Sequence, residues 1–487
     1  MDELKIRKRN LWMFPLGTVG RDMMYNLVTN FLLTYILFTK GLSAAQLGAI
    51  TAIMVAARVF DALNDPIMGN IIEMTHTKWG KFKPWLVIGI ALSCVVVTMV
   101  FSTNLKGWNF VILFGVFYFC YSIAYTMHDI SYWGMVPALS SDAGARDQYT
   151  SRATLFAGVG GTLAGIVIPM VTTGAGTIGG SATIAYKVVA IVICILAPAF
   201  LCFTIIGAKE RREPVKAKAD KSSAGLKKVV NTIMHNDQLR WIAVIFLIQQ
   251  VGNGIAIGGI GSTYIYFTYG YEGGLYSLFT TVGMSATAFL MIFYPAISKK
   301  INRKPLMNLM AVISVVGFVL MLLSRMIPAI GFILLTVGYM LSNFGLYCYY
   351  LVMMISIINT VEYNEYKCGT RDEAIIASVR PFMTKMASAI IVMITTASYV
   401  IFGVTKYTNQ ISDLESAAAI GTITEAEKLT SIQTLIGGVG NGQSIGLLLC
   451  MTILPCALML ISNVLYQKKY KLDEAEYARI CKELENR

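Results

Sequence analysis

RVFDALNDPIMG, residues 58–69, places one arginine and two aspartates inside an apolar run that extends from 45 to 71. Roughly 20 helical residues cross a hydrocarbon core about 30 Å thick, so the run is long enough to span a bilayer with these charges in its interior. A charge near the bilayer centre costs ~2.5 kcal/mol or more, and such residues mark function by default. Asp61 and Asp65 are four apart, which puts both carboxylates on one helix face, with Arg58 three residues earlier on that face. Two carboxylates so placed attract a proton or a small hard cation that takes oxygen ligands. The plainer alternative is that Arg58 only neutralises Asp61, and it leaves Asp65 unexplained.

Working outward, apolar runs of similar length recur over the whole chain. Of its 487 residues 56% are hydrophobic and 14% charged, and the mean hydropathy of +0.62 exceeds what a soluble core needs. Twelve spans are predicted: 17–40, 45–71, 84–102, 108–138, 152–174 and 184–208, then 239–270, 273–298, 304–326, 329–361, 373–403 and 441–466. They give an N-terminal six-helix bundle over 1–208, a Lys-, Ala- and Ser-rich linker over 209–238, a C-terminal six-helix bundle over 239–466 and a charged tail over 467–487. The halves share a weak repeat, because 64–85 and 294–307 both follow the second span of their half with Pro, a basic loop and Pro. Residues 404–440 are expected to form a long external loop. The N-terminal charge cluster lacks the short apolar core and cleavage site of a signal peptide, so the first helix is expected to stay.

The net charge of +13 does not indicate nucleic acid, because the basic residues fall in alternating loops. Lys78, Lys81 and Lys83, Arg146 and Arg152, a cluster from Lys209 to Lys228, and Lys299, Lys300, Arg303 and Lys304 mark one side, while the loops of the other side hold few, such as Lys40, Lys106, Lys187 and Arg325. The rule that positive loops stay inside places both termini in the cytoplasm of an inner or plasma membrane protein. The nine cysteines show no metal-ligand spacing and read as small core hydrophobes. No nucleophile elbow, metal motif or dinucleotide glycine pattern supports an intramembrane enzyme, and duplicated six-span halves fit a gated carrier better than a channel.

Other charges sit inside spans: Arg21 and Asp22 in span 1, Asp129 in span 4, Arg380 and Lys385 in span 11. Asp129 with Trp133 four residues later offers a hydrogen-bond acceptor and a flat aromatic face on one side of a helix, a pairing suited to sugars. The bland reading, a packing or interface aromatic, applies equally to Tyr350.

RVFDALNDPIMG and TKWGKFKPW (77–85), with GRDMMYN (20–26), YTMHDISYWGMVPALS (125–140) and VEYNEYKCGTRDEAIIASVRPFMTKMAS (361–388), resemble the signature of the glycoside-pentoside-hexuronide:cation symporters. The resemblance implies an all-α membrane protein of the major-facilitator fold, twelve helices in two bundles, and a central sugar site served by alternating access and coupled to Na+, Li+ or H+. It implies Asp61 and Asp65 as the cation-binding carboxylates, the Na+ ligands if Na+ is used, and Asp22 and Asp129 as the acids that grip sugar hydroxyls. It further implies Trp133 as the stacking ring, Lys385 as the lysine facing the cation site, Arg152 near the cytoplasmic end of the sugar cavity and, loosely, Tyr350 as an aromatic of span 10. Ser378-Val379-Arg380-Pro381 departs from the family pattern by placing a guanidinium where small or amide side chains are usual. With Arg21 and His128 beside the sugar acids, it points to an anionic sugar such as a hexuronide, glucuronide or sulfonated sugar, since Arg suits bidentate recognition of such groups. Pairing of Arg380 with Asp22 or Asp129 is the alternative, as are a neutral glycoside or pentoside and a sugar exchanger. No cofactor beyond the coupling cation is expected, and the functional unit is read as a monomer in the lipid bilayer.

Overall fold

The computed structural model describes residues 3–140, 142–210, 232–256, 258–370 and 372–486. Most of the expected linker, residues 211–231, lies outside the described residues. The helices are α1 (Glu3–Asn26), α2 (Leu32–Thr39), α3 (Ala44–Glu73), α4 (Lys83–Ser102), α5 (Gly107–Leu139), α6 (Ala143–Thr172), α7 (Ala182–Cys202), α8 (Asp237–Ile255) and α9 (Gly259–Tyr269). They continue as α10 (Gly273–Ser298), α11 (Arg303–Leu323), α12 (Gly331–Ile358), α13 (Thr360–Cys368), α14 (Glu373–Ile401), α15 (Val404–Ala419), α16 (Glu425–Gly437), α17 (Asn441–Lys469) and α18 (Glu474–Glu485). Each of the twelve expected spans coincides with helix, and among the described residues ten helical runs are long and apolar enough to cross a membrane. The chain has the all-helical architecture that the twelve-span reading requires. Span 1 is not one regular helix: a π-helical turn, Leu27–Phe31, joins α1 to α2.

Local chemistry sets several boundaries. Gly41, at φ +57°, makes the turn out of span 1. Ser43 then caps α3, its hydroxyl accepting from the Gln46 backbone N–H while the Gln46 side chain accepts from the Ser43 N–H. Asp142 does the same for α6 by accepting from the N–H groups of Gly144 and Ala145. Along α6 the exposed residues Leu155, Val159, Leu163 and Val167 recur every fourth position. Such an apolar outer stripe is what a lipid-facing helix needs.

Two compact units are present. The first comprises Met1–Pro214, Ser262–Leu278 and Thr396–Ser444; the second comprises Val215–Gly261, Phe279–Thr395 and Ile445–Arg487. In the first, α1 packs against α6 and α7 with its backbone almost touching theirs. A Cβ added at Gly20 would lie 2.5 Å from Ala197 Cα, and one at Gly160 would lie 2.2 Å from the Val19 carbonyl oxygen. Small residues of this kind let membrane helices approach closely enough for dispersion contacts to hold them. In the second unit, α11 and α12 meet in the same way at Gly317 and Gly338.

Residues 404–440 depart from the loop expected for them. They form the hairpin α15–α16, which belongs to the first unit. Val404, Thr408, Ile411, Ser412 and Glu415 are the buried face of α15, at helical spacing, and Lys428 and Ile432 are buried on α16. Average polarity hid this element, because a half-buried helix lying across the ends of others needs only one apolar stripe.

Candidate functional site

Charged side chains of the first unit gather into two groups, both of which use α5. The Gly20 and Gly160 contacts fix the height of α1, and with it Arg21 and Asp22. Arg21 is buried, 3% exposed. Its Nε donates to Asp22 Oδ2 at 2.9 Å, and its Nη1 donates to Asp129 Oδ1 at 3.0 Å. The guanidinium lies 5.1 Å from the ring centre of Tyr132 and 5.5 Å from that of Trp133. One cation therefore serves two carboxylates and two aromatic faces. The Asp129 side chain remains 38% exposed, so it keeps lone pairs for a ligand's hydroxyls. Beside the cluster Tyr25 stacks on Tyr125 at 5.1 Å, and Tyr125 on Tyr121 at 5.7 Å.

One to two turns earlier on α5, Ser122 donates to Asp61, and Thr126 Oγ1 donates to Asp65 Oδ1 at 3.3 Å. Asp61 is buried, and Arg58 Nη1 approaches its other oxygen at 3.7 Å. Two carboxylates and two hydroxyls supply only hard oxygen donors, the set that suits Na+ or a proton. The side-chain nitrogen of Asn64, between the two acids, is buried with no hydrogen-bond partner among the described residues.

The structure thus brings together Arg21, Asp22, Asp129 and Trp133, and separately Arg58, Asp61 and Asp65. Of the other expected members in this unit, one borders the first group and one lies elsewhere. The His128 ring is 1% exposed and lies parallel to the Tyr132 ring at 6.3 Å, so it borders the Arg21 cluster, while its backbone packs on α4, where a Cβ on Gly89 would be 2.8 Å from the His128 nitrogen. Neither of its ring nitrogens has a hydrogen-bond partner among the described residues. Arg152, on α6, places its guanidinium 4.8 Å from the ring centre of Trp12. In the second unit Arg380 is exposed, and its Nη1 donates to the Tyr350 hydroxyl at 3.4 Å. Tyr350 also meets Phe246 at 6.0 Å and Tyr347 at 5.6 Å. Lys385 lies half-buried on α14 of the same unit.

Ser122 and Thr126 are the residues that sequence reading missed. Their signal was helical spacing: 122, 126, 129 and 133 advance by four, three and four, so all face one side of α5.

Comparison with known proteins is consistent across the chain. The family described as "MFS/sugar transport protein" matches residues 13–474. A lactose permease of Lactobacillus helveticus is 28% identical over 97% of this chain and 71% of its own length. A glucuronide carrier protein homolog of Escherichia coli is 24% identical over 97% and 94%. Among solved structures, an inward-facing bacterial homolog of the human lysosomal transporter Spinster superposes with a TM-score of 0.61 at 11% identity, covering 96% of this chain and 98% of that one.

Proposed function

The chain belongs to the MFS/sugar transport protein family, and from that premise we propose that it imports a glycoside together with Na+ or H+, using the two charged groups of the first unit as the sugar and cation sites. It is a multi-pass membrane sugar transporter and not an enzyme. One observation carries the finer reading: Ser122 and Thr126 on α5 face Asp61 and Asp65, while Asp129, one turn further on the same helix, faces Arg21 and Asp22. A rigid helix that lines both groups gives a cation bound at one a direct mechanical effect on the other.

In this reading Asp22 and Asp129 accept hydrogen bonds from sugar hydroxyls, Arg21 holds both acids in orientation, and the Trp133 and Tyr25 rings present flat faces to the pyranose. Asp61 and Asp65 bind the cation with help from Thr126 and Ser122, and Arg58 stands in for the cation's charge when none is bound. The distribution of basic loops puts both termini in the cytoplasm. One chain supplies every residue named in each group, which supports a monomer as the functional unit.

A second reading, an anionic glycoside, is favoured by Arg380. Arg21 is already engaged by two carboxylates and His128 is 1% exposed, so neither offers positive charge to a ligand. Arg380, exposed and bonded to a neutral phenol, keeps its charge for one. Because Arg21 already provides Asp22 and Asp129 with a counter-ion, they have no need of Arg380. The test is sugar binding by purified protein with and without Na+ at several pH values, across paired neutral and acidic glycosides. Binding that ignores both cation and pH would remove the coupling assignment.

A further inference from the structure

The α15–α16 hairpin is fastened to the end of the first unit opposite the basic loops by a network that the sugar and cation groups do not use. Glu415 and Lys428 are both fully buried, 0% exposed, and meet at 3.3 Å. The same Glu415 oxygen, Oε2, accepts the Ala182 backbone N–H at 2.7 Å, its Oε1 accepts the Tyr271 hydroxyl at 3.1 Å, and its carbonyl accepts from Ser181 Oγ at 2.6 Å. Lys428 Nζ also donates to the Gly180 carbonyl at 2.8 Å. Around this centre the Gly176 N–H donates to Glu425, Asn409 donates to the Leu42 carbonyl, and Lys106 donates to Ser416. The hairpin and its contacts reach the connections after spans 1, 3, 5 and 7.

The partners come from distant parts of the sequence. Leu42, Lys106, Gly180 and Ala182 come from connections among the first six spans; Tyr271, Glu415 and Lys428 come from connections among the last six. Below them, the hydroxyls of Thr51 on α3 and Thr396 on α14 lie 2.6 Å apart in a buried pair that also joins the two sequence halves. A carrier that opens first at one end and then at the other must part such contacts once per cycle. A buried ion pair suits this task, because a lone buried charge is costly: the network is stable either complete or hydrated, and not in between.

We propose that Glu415 is the pin of an outer latch, a positioning residue of the transport cycle that holds this end closed in the present state. The proposal rests on transport by alternating access but on neither the sugar nor the cation. Its test needs neither ligand: Thr51→Cys is introduced into the full chain in detergent, and its rate of maleimide modification is read by mass spectrometry of the peptide. Thr51 is buried here, so slow labelling is expected in the otherwise unaltered protein. Adding Glu415→Ala, which strands Lys428, is expected to raise the rate about tenfold or more. The pair Glu415→Gln with Lys428→Met removes both charges, keeps an amide oxygen for the Ala182 N–H and an NH2 that can donate to the Tyr271 hydroxyl, and is expected to stay within about threefold of the parent. If Glu415→Ala does not yield folded protein, Glu415→Asp carries the same expectation, since the shorter side chain cannot reach all three partners. An unchanged rate in the single variant overturns the proposal. A double variant as reactive as the single one also overturns it, because the effect would then come from lost packing and not from the stranded charge.

Discussion

Arg21 reaches Asp129, 108 positions later in the chain, at 3.0 Å while keeping hold of Asp22 beside it. Two acids share one cation, each through its own donor of the same guanidinium. The arrangement is rigid, because a planar guanidinium offers separate donors to the two acids while its face rests on the Tyr132 ring.

Arg21→Gln is expected to weaken binding of the preferred glycoside by at least about 3 kcal/mol, the usual effect of breaking a buried ion pair. Arg21→Lys should recover only part of this, since one ammonium cannot reproduce the fork. Isothermal titration of both variants checks it, and full recovery by lysine would refute the two-carboxylate role.

Asp61→Asn and Asp65→Asn are expected to abolish cation-driven accumulation while leaving measurable sugar binding, because the sugar acids lie on α1 and α5 and not on α3. Uptake into vesicles with an imposed cation gradient, paired with equilibrium binding, separates the two effects. Unaltered accumulation in both variants is the contrary result.

Thr126→Val keeps side-chain shape and removes the hydroxyl that donates to Asp65. The cation concentration for half-maximal stimulation is expected to rise about tenfold, equivalent to ~1.4 kcal/mol for one polar contact. Sugar affinity at saturating cation should hardly change, and a loss there instead would place Thr126 in the sugar site.

Arg380→Gln separates the two substrate readings. If Arg380 holds a substrate anion, binding of an acidic glycoside should fall by roughly 1.5–3 kcal/mol, with a neutral analogue of the same shape almost unaffected. Equal losses for both ligands, or wild-type preference for the neutral one, would exclude the anionic reading.

Glu474 fastens α18 to α11 by accepting from the Arg303 backbone N–H at 2.8 Å and its Nε at 2.9 Å. Burial pushes the Glu474 carboxyl up, but the two Arg303 hydrogen bonds outweigh it and hold the group below the ordinary glutamate value. A depressed carboxyl stabilises the fold above its unfolded pKa, and that contribution is lost as pH falls through the folded value. Glu474→Gln should therefore lower the melting temperature slightly at pH 7, by an amount that shrinks as pH falls below about 4, since a pair this exposed contributes at most ~1 kcal/mol. A difference that does not depend on pH would show that the ion pair is not its source.

The spans and the costly charges were legible because bilayer thickness fixes run length and hydrocarbon penalises ions. Asp61, Asp65, Asp22 and Asp129 could be found from that rule alone. Which of them share a partner could not, because Arg21 and Asp129 meet only through the packing of α1 and α5. Nor could the place of His128, whose ring meets the cluster through the Tyr132 ring. The α15–α16 hairpin escaped because its average polarity masked one narrow buried stripe, and the partners of its buried ion pair lie on distant loops.

The π-helical turn at Leu27–Phe31 divides span 1 between two duties. Below it, α1 carries Arg21 and Asp22; above it, α2 packs against the latch hairpin. A widened turn breaks the regular i to i−4 ladder, so torsion applied to one segment is absorbed there and not passed rigidly to the other. Span 1 is in this sense a drive shaft with a coupling in it: the segment above the coupling can turn as the latch lets go without wrenching the two acids from their arginine.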